Sequence, residues 1–238
     1  MNDLHSHILF GVDDGAKVFE DSKAILDSAS SVGVKNIVLT PHYIVDSRYM
    51  STANDNLVPF KQVKDYADGL GINVYLANEV YLSKEVVDLY KSGKIATINN
   101  SRYMLVEIPM YGKLNNVKSI FFELLSAGVV PILAHPERYT AYHGDIDFFK
   151  ELRQMGVLLQ ANYPSLLGFY GKDAKKMLKK LLKADLISFV GSDVHSINEH
   201  KYELIPKMKQ KLTKLVGKEK MSELTESNFM KVIGNELI

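Results

Sequence analysis

Five of the seven histidines in this chain stand in or just after short β-rich runs: His5, His7, His42, His135 and His195. Four acids, Asp14, Glu79, Glu107 and Asp193, fall at comparable places. Imidazole and carboxylate without sulfur suit Mn²⁺, Zn²⁺ or Fe²⁺, and the carboxylate share leaves Mg²⁺ open. Nine donors are too many for one ion. The set therefore predicts a multinuclear site in which two or three ions share bridging carboxylates, with Glu79 a plausible bridge. Taking one donor per run gives His5, His42, Glu79, Glu107, His135 and Asp193, separated by 37, 37, 28, 28 and 58 residues. The last gap spans two units, so the spacing follows the roughly 30-residue length of a strand–helix–strand repeat.

Local geometry supports the grouping. His5-Ser6-His7 puts two imidazoles on one face of an extended segment, because side chains alternate with period two. Asp193-Val194-His195 offers an acid and an imidazole in the same way if the chain stays extended there. Each donor taken singly has a structural explanation: a polar pair at a strand end, a turn at His135-Pro136, a buried acid at Glu107 with an arginine partner, a helix cap at Asp14. None of these accounts for nine such residues all standing at strand ends. His143 and His200 lie outside the pattern and read as surface residues.

The elements that must carry these donors alternate from end to end. Strand-like runs occupy 4–10, 35–40, 73–77, 103–108, 129–134, 157–162 and 186–191, most of them nearly continuous in Val, Ile and Leu, as in parallel strands buried on both faces. Helical patterns lie between them at 21–32, 55–70, 83–91, 116–127, 146–155 and 172–183, and a further helix is expected over about 199–216. Several end at a glycine (Gly33, Gly71, Gly128, Gly156) just ahead of the next strand. Seven such units predict an α/β fold, a closed or nearly closed (β/α) barrel with an open doubly wound sheet as the alternative. In a barrel, side chains at the C-terminal strand ends converge on one mouth, where active sites are built. No linker or shift in composition interrupts the pattern, so residues 1–238 read as one domain.

Composition narrows the chemistry. The 238 residues are 46% hydrophobic, with 29 Lys and Arg against 28 Asp and Glu, which argues against a broad nucleic-acid-binding face. There is no cysteine, hence no disulfide, no thiolate zinc site and no thiol nucleophile. The start lacks a signal-peptide pattern and no apolar run approaches the roughly 18 residues of a membrane span, so a soluble, cytoplasmic protein is expected. Around 172–183, Met177, Leu178, Leu181 and Leu182 form one helical stripe and five lysines lie largely off it. That reads as a solvated amphipathic helix, with docking to an acidic partner or membrane surface as the alternative.

The segments LHSHILFGVDDG, TPHY, ANEVY, LVEIP, AHPERY and GSDVHS, in that order, resemble the polymerase-and-histidinol-phosphatase (PHP) superfamily, and within it the metal-dependent bacterial protein-tyrosine phosphatases of capsule and exopolysaccharide loci. The resemblance runs from Asp3 to about His195. It implies a distorted seven-stranded TIM-like (β/α) barrel holding three metal ions, usually Mn²⁺, on His5, His7, Asp14, His42, Glu79, Glu107, His135, Asp193 and His195. Arg138 matches the arginine that holds phosphate. A second arginine usual in the family is replaced by His200 and Lys201, with Lys201 or Arg48 as substitutes, and Ser196 stands where asparagine is common. The partner implied is a tyrosine-phosphorylated protein such as a bacterial tyrosine autokinase, with no nucleic acid, no membrane insertion and an open oligomeric state.

The expected reaction follows from these parts. A hydroxide bridging two metals, its parent water brought from a pKa of about 15.7 to about 7, would attack phosphorus in line. The metals and Arg138 would neutralise the equatorial oxygens. Tyrosine leaves as a phenolate of pKa about 10 and needs less protonation than an alkyl alcohol. The alternatives are a small-molecule phosphatase such as histidinol-phosphate phosphatase, an amidohydrolase, and a non-catalytic, metal-bound kinase regulator. The segment 43–56 is a candidate lid.

Overall fold

Runs of Val, Ile and Leu that offer no polar face to solvent must be covered on both sides, and parallel strands flanked by helices provide that cover. The computed structural model describes residues 1–238. Its strands are β1 (Asn2–Asp3), β2 (Asn36–Leu39), β3 (His42–Tyr43), β4 (Asn73–Leu76), β5 (Glu79–Tyr81), β6 (Tyr103–Glu107), β7 (Val130–Ala134), β8 (Leu158–Asn162) and β9 (Phe189–Gly191). Every pairing is parallel, in the orders β1-β2-β4 and β3-β5-β6-β7-β8-β9. The helices are α1 (Phe19–Ser31), α2 (Leu57–Gly69), α3 (Val86–Lys91), α4 (Val117–Ser126), α5 (Ile146–Met155), α6 (Tyr163–Leu167), α7 (Gly171–Lys183), α8 (Ile205–Val216), α9 (Lys218–Ser222) and α10 (Asn228–Ile233).

The two ladders are halves of the same path. The chain breaks at Thr40-Pro41 between β2 and β3 and at Ala77-Asn78 between β4 and β5, yet hydrogen bonds cross both breaks. Ala77 N–H donates to Leu39 O at 2.9 Å, and Glu79 N–H donates to Pro41 O at 3.0 Å. At the other edge, Asp193 N–H donates to His5 O at 2.9 Å, His7 N–H donates to Val194 O at 2.8 Å, and Ser6 bridges Val194 in parallel. Neighbours thus return to the first segment, an arrangement consistent with a distorted seven-stranded barrel.

Two apolar layers follow from this path. The inner one, of 12 residues, draws Val38, Ala77, Leu105, Ile132, Leu158 and Phe189 from successive strands. It is joined by Phe229 and Val232 of α10, whose neighbour Glu236 accepts from the Tyr103 hydroxyl at the start of β6. The outer layer, of 50 residues, lies largely between strands and helices and includes Ile25, Leu26, Phe121, Leu124, Phe149, Leu152, Leu178 and Leu181.

Several boundaries differ from the sequence expectation. The expected strands at 35–40 and 73–77 stop at Leu39 and Leu76, and the short strands β3 and β5 resume beyond Pro41 and Asn78. Proline has no N–H to give a ladder, and Asn78 uses its side chain to accept from Ala96 N–H and donate to Pro41 O. The run at 4–10 keeps a single bridge beyond β1. The helix expected from 199 begins only at Ile205, with Pro206 in its first turn, because His200 takes a left-handed backbone (φ 50°) and short 3₁₀ turns precede it.

Candidate metal centre

Period two explains how the strands aim their donors. Leu105 and Glu107, Ala77 and Glu79, and Val38 and His42 each share a strand face, apolar at the foot and polar at the top. His135 and Asp193 come one and two residues past their strands with left-handed backbones (φ 33° and 52°), a conformation held against its intrinsic cost by the surrounding structure. Gly191, between Phe189 and Asp193, leaves room for neighbours. A Cβ there would lie 2.9 Å from Gln160 Nε2 and 3.1 Å from His5 Cβ.

The nine expected donors come together. Their ligand atoms form four overlapping groups, with members within 4.8 Å of one another: His7, Asp14, His42 and His195; His5, His7 and Asp193; His5, Glu79 and His135; and His42, Glu79 and Glu107. Glu79 Oε2 lies 3.1 Å from His5 Nε2, 3.2 Å from His7 Nε2 and 3.1 Å from His42 Nδ1. Despite these distances it makes no hydrogen bond, and neither does His42 Nδ1, although both atoms are buried. Close approach without hydrogen-bond alignment is how donors lie when they point at a common centre rather than at each other. A divalent cation among them satisfies atoms that would otherwise carry a large desolvation cost. The residues present therefore fit the metal ions that the donor set predicts.

The field at the mouth has the sign such ions need. Burial opposes charge on Glu79, but His5 and His42 hold its carboxyl well below the ordinary range. Asp193 is likewise buried and held well down by His5, His7 and His195. His42 is pushed down by burial and by His7, yet Glu79 and Glu107 raise it to about 9. His195, stacked on His7 with ring centroids 3.9 Å apart, is lowered to about 4 by burial and that neighbour. Asp14 is half-exposed at the rim, 3.5 Å from His42 and 3.6 Å from His195. It caps no helix, since Asp21 accepts from Val18 N–H at the start of α1.

The expected phosphate-binding residues separate. Arg138 donates from Nη1 to Asp193 Oδ2 at 2.7 Å and stacks 4.3 Å over the Tyr170 ring, its side chain 27% exposed. Lys201 is buried, and its ammonium reaches the Asp193 carbonyl and Glu199 at 3.2 Å. His200 turns outward to Glu203, its side chain 62% exposed, and is not brought to the cluster. Arg48 stays on its neighbour Tyr49, whose ring lies 6.1 Å from His42. The segment 43–56 is tied down by Ile44 N–H to Tyr49 O at 2.7 Å and Ala53 N–H to Lys94 O at 2.8 Å.

Sequence reasoning missed the residues that hold the donors in place. Asp13, not only Asp14, is part of the site: its Oδ2 meets His7 Nδ1 at 2.7 Å and accepts from His42 N–H at 3.0 Å. Burial raises Asp13, but the His7 imidazole outweighs it and holds the carboxyl at about 2. A relay runs from His5 Nδ1 to Gln160 Oε1 (2.8 Å), from Gln160 Nε2 to Asn162 Oδ1 (3.1 Å), and from Asn162 Nδ2 to Asp193 Oδ2 (2.7 Å). The available signal was the pair of polar residues two apart in the otherwise apolar run VLLQAN. Asp3, buried, accepts from Ser192 N–H and Tyr202 O–H and so ties the first strand to the last.

Two outcomes follow. Asp13→Asn should weaken metal affinity by about 10–100-fold, as read by chelator competition, because the charged partner that fixes the His7 tautomer is lost. Gly15→Ala would place a Cβ 2.1 Å from His7 O and 2.6 Å from His7 Cβ. Since backbone cannot step aside, a cost of about 3 kcal/mol is expected, which lowers Tm by roughly 6–12 °C in calorimetry.

Comparison with known proteins places this geometry among relatives. Residues 1–234 match the family described as capsular polysaccharide synthesis, CpsB/CapC. The chain is 34% identical over 206 residues to CapC of Staphylococcus aureus, covering 86% of this chain and 80% of that one. It is 32% identical over 249 residues to the tyrosine-protein phosphatase CpsB of Streptococcus pneumoniae, covering 100% of both. Among solved structures, one from a study of YwqE from Bacillus subtilis and CpsB from Streptococcus pneumoniae, described as metal-dependent tyrosine phosphatases, superposes with a TM-score of 0.93 at 27% identity. That match covers 100% of this chain and 96% of the other.

Proposed function

Because the chain belongs to the CpsB/CapC family of capsular polysaccharide synthesis, we propose that it is a metal-dependent protein-tyrosine phosphatase. The observation that carries this reading is the convergence of nine nitrogen- and oxygen-donor residues in four overlapping groups, with a guanidinium at their edge. His5, His7, Asp14, His42, Glu79, Glu107, His135, Asp193 and His195 would hold the ions, three in number and usually Mn²⁺ as the resemblance implies; donors without sulfur suit Mn²⁺, Zn²⁺ or Fe²⁺. Divalent ions there supply Lewis acidity and bring water into the range where it ionises near neutral pH.

The chain's own residues do the rest. Arg138, fixed by Asp193 on one side and Tyr170 on the other, presents its free N–H groups to phosphoryl oxygens and offsets their charge. Asp13, Gln160 and Asn162 fix the rotation of His7, His5 and Asp193, so that the donors need no rearrangement when substrate arrives. Lys201 holds the Asp193 backbone and its charge supports the phosphate end of the site. The leaving phenolate, of pKa about 10, departs with little protonation, which favours phosphotyrosine over phosphoserine. Within the cytoplasm, a bacterial tyrosine autokinase governing capsule or exopolysaccharide synthesis is the fitting phosphoprotein.

Phosphate release from a phosphotyrosine peptide, measured after chelation and again after Mn²⁺ addition, tests the reading. Metal-restored release that is much faster than from a matched phosphoserine peptide is the expected result. Equal turnover of both peptides would overturn the preference, and release from histidinol phosphate alone would overturn the protein-phosphatase reading.

A further inference from the structure

The cleft at Arg138 continues away from the metal centre. A cavity of about 360 Å³ is walled by Met110, Tyr111, Arg138, Tyr170 and Lys172. A second, of about 240 Å³, shares His143 and Asp173 with the first and continues it along α7 to Lys176 and Lys180. Beyond them the same helix forms a shelf lined by Lys172, Lys175, Lys176, Lys179, Lys180 and Lys183 and by nothing else.

The sequence builds this face deliberately against helix stability. Ala174, Met177, Leu178, Leu181 and Leu182 are buried, which sends every lysine of α7 outward. Lys172, Lys176 and Lys180 then follow one another at four-residue spacing, as do Lys175, Lys179 and Lys183, and like charges so placed repel. A merely solvated face relieves such repulsion with carboxylates. On α2 and α5, Lys64 and Lys150 pair with Asp68 and Asp147 of their own helix, whereas none of the six α7 lysines pairs with an acid. Asp173 is the one acid on the helix. The neighbouring α8 adds to the excess: Lys211 is pushed down by desolvation and by the ammonium groups of Lys175, Lys207 and Lys179. With a net charge of only +1 for the whole chain, this is a local concentration of positive charge.

We propose that the groove from Arg138 along α7 binds an acidic stretch of polypeptide flanking the phosphorylated tyrosine, so that the site selects phosphotyrosine set in Asp- and Glu-rich sequence. The proposal rests on the phosphatase reading above and extends it to substrate choice. Lys172 to Lys180 spans about 12 Å at about 1.5 Å per residue, the length of about four residues of extended peptide. Lysine suits this role because a mobile point charge tolerates varied acidic side chains, whereas the fork of arginine demands one geometry. Concavity and continuity with the phosphate end favour a peptide over a bilayer, which would seek a flat face not tied to the site.

The test compares the metal-loaded protein with its Lys176→Glu/Lys180→Glu variant on two fluorescent phosphotyrosine peptide pairs, acidic or neutral on the N-terminal or on the C-terminal side. Hydrolysis and binding by anisotropy are both read, with p-nitrophenyl phosphate as a substrate too small to reach α7. The expected result is about tenfold lower KM for one acidic peptide at low salt, lost in the variant and at high salt, with p-nitrophenyl phosphate turnover unchanged. Equal KM and equal binding of acidic and neutral peptides, with p-nitrophenyl phosphate still hydrolysed, would overturn the groove. Charge-dependent binding of phosphatidylglycerol vesicles without any peptide preference would overturn it in favour of a membrane-docking face. If no phosphoester is hydrolysed, the phosphatase reading fails, and anisotropy still decides whether the groove prefers the acidic peptide.

Discussion

Replacing Glu79 by alanine is expected to lower kcat/KM for a phosphotyrosine peptide by about a thousandfold or more. The size follows from what this carboxylate touches. Its Oε2 faces His5, His7 and His42 at 3.1–3.2 Å and its Oε1 meets His135 at 3.0 Å, so it belongs to two of the four donor groups at once. Losing it removes a negative charge from between several cations, and with it several kcal/mol of stabilisation, each 1.36 kcal/mol being about tenfold in rate. Glu79→Gln separates charge from shape. The amide nearly preserves the volume, so a folded Gln variant with equally low activity and reduced metal content assigns the effect to charge. Activity within tenfold of the parent in that variant would remove Glu79 from the metal centre.

Arg138→Lys should cost about 100-fold in kcat/KM while leaving metal content unchanged, as measured by elemental analysis. Arg138 is not a metal donor. It touches Asp193 through the oxygen that Asn162 also reaches, and its guanidinium lies over the Tyr170 ring. A lysine keeps the charge but can neither stack in that way nor present two parallel N–H groups to a phosphoryl group. Inorganic phosphate should inhibit the variant correspondingly more weakly. An Arg138→Lys enzyme with parental kinetics would show that the phosphate is held elsewhere, with Lys201 the nearest other cation facing Asp193.

That these nine side chains would meet was legible because strand periodicity and residue type carry the same message. Glu107 stands two residues beyond Leu105 and Glu79 two beyond Ala77, so a reader who finds the strand also finds the direction of the acid. The short strands β3 and β5 were not legible, because Pro41 and Asn78 look like ends when hydrogen bonds in fact cross them. Asp13 was overlooked for a different reason. Two adjacent aspartates compete for one role on paper, and only the fold shows Asp13 turned inward to His7 while Asp14 stays at the rim. Nothing in the sequence distinguishes His200, turned out to Glu203, from Lys201, turned in to Asp193, since a left-handed residue at His200 decides the matter.

The single bridge between Ser6 and Val194, with Asp3 tied to Ser192, has a consequence for how the protein comes into being. His5 and His7 are synthesised long before Asp193 and His195, yet they share donor groups. A nascent chain that has reached His135 carries seven of the nine donors but not the last two, and loop closure over so long a separation is slow relative to local helix formation. Metal capture at full affinity has to wait for the ring to close. Cation affinity in this protein would thus report that the two ends of the sheet have met.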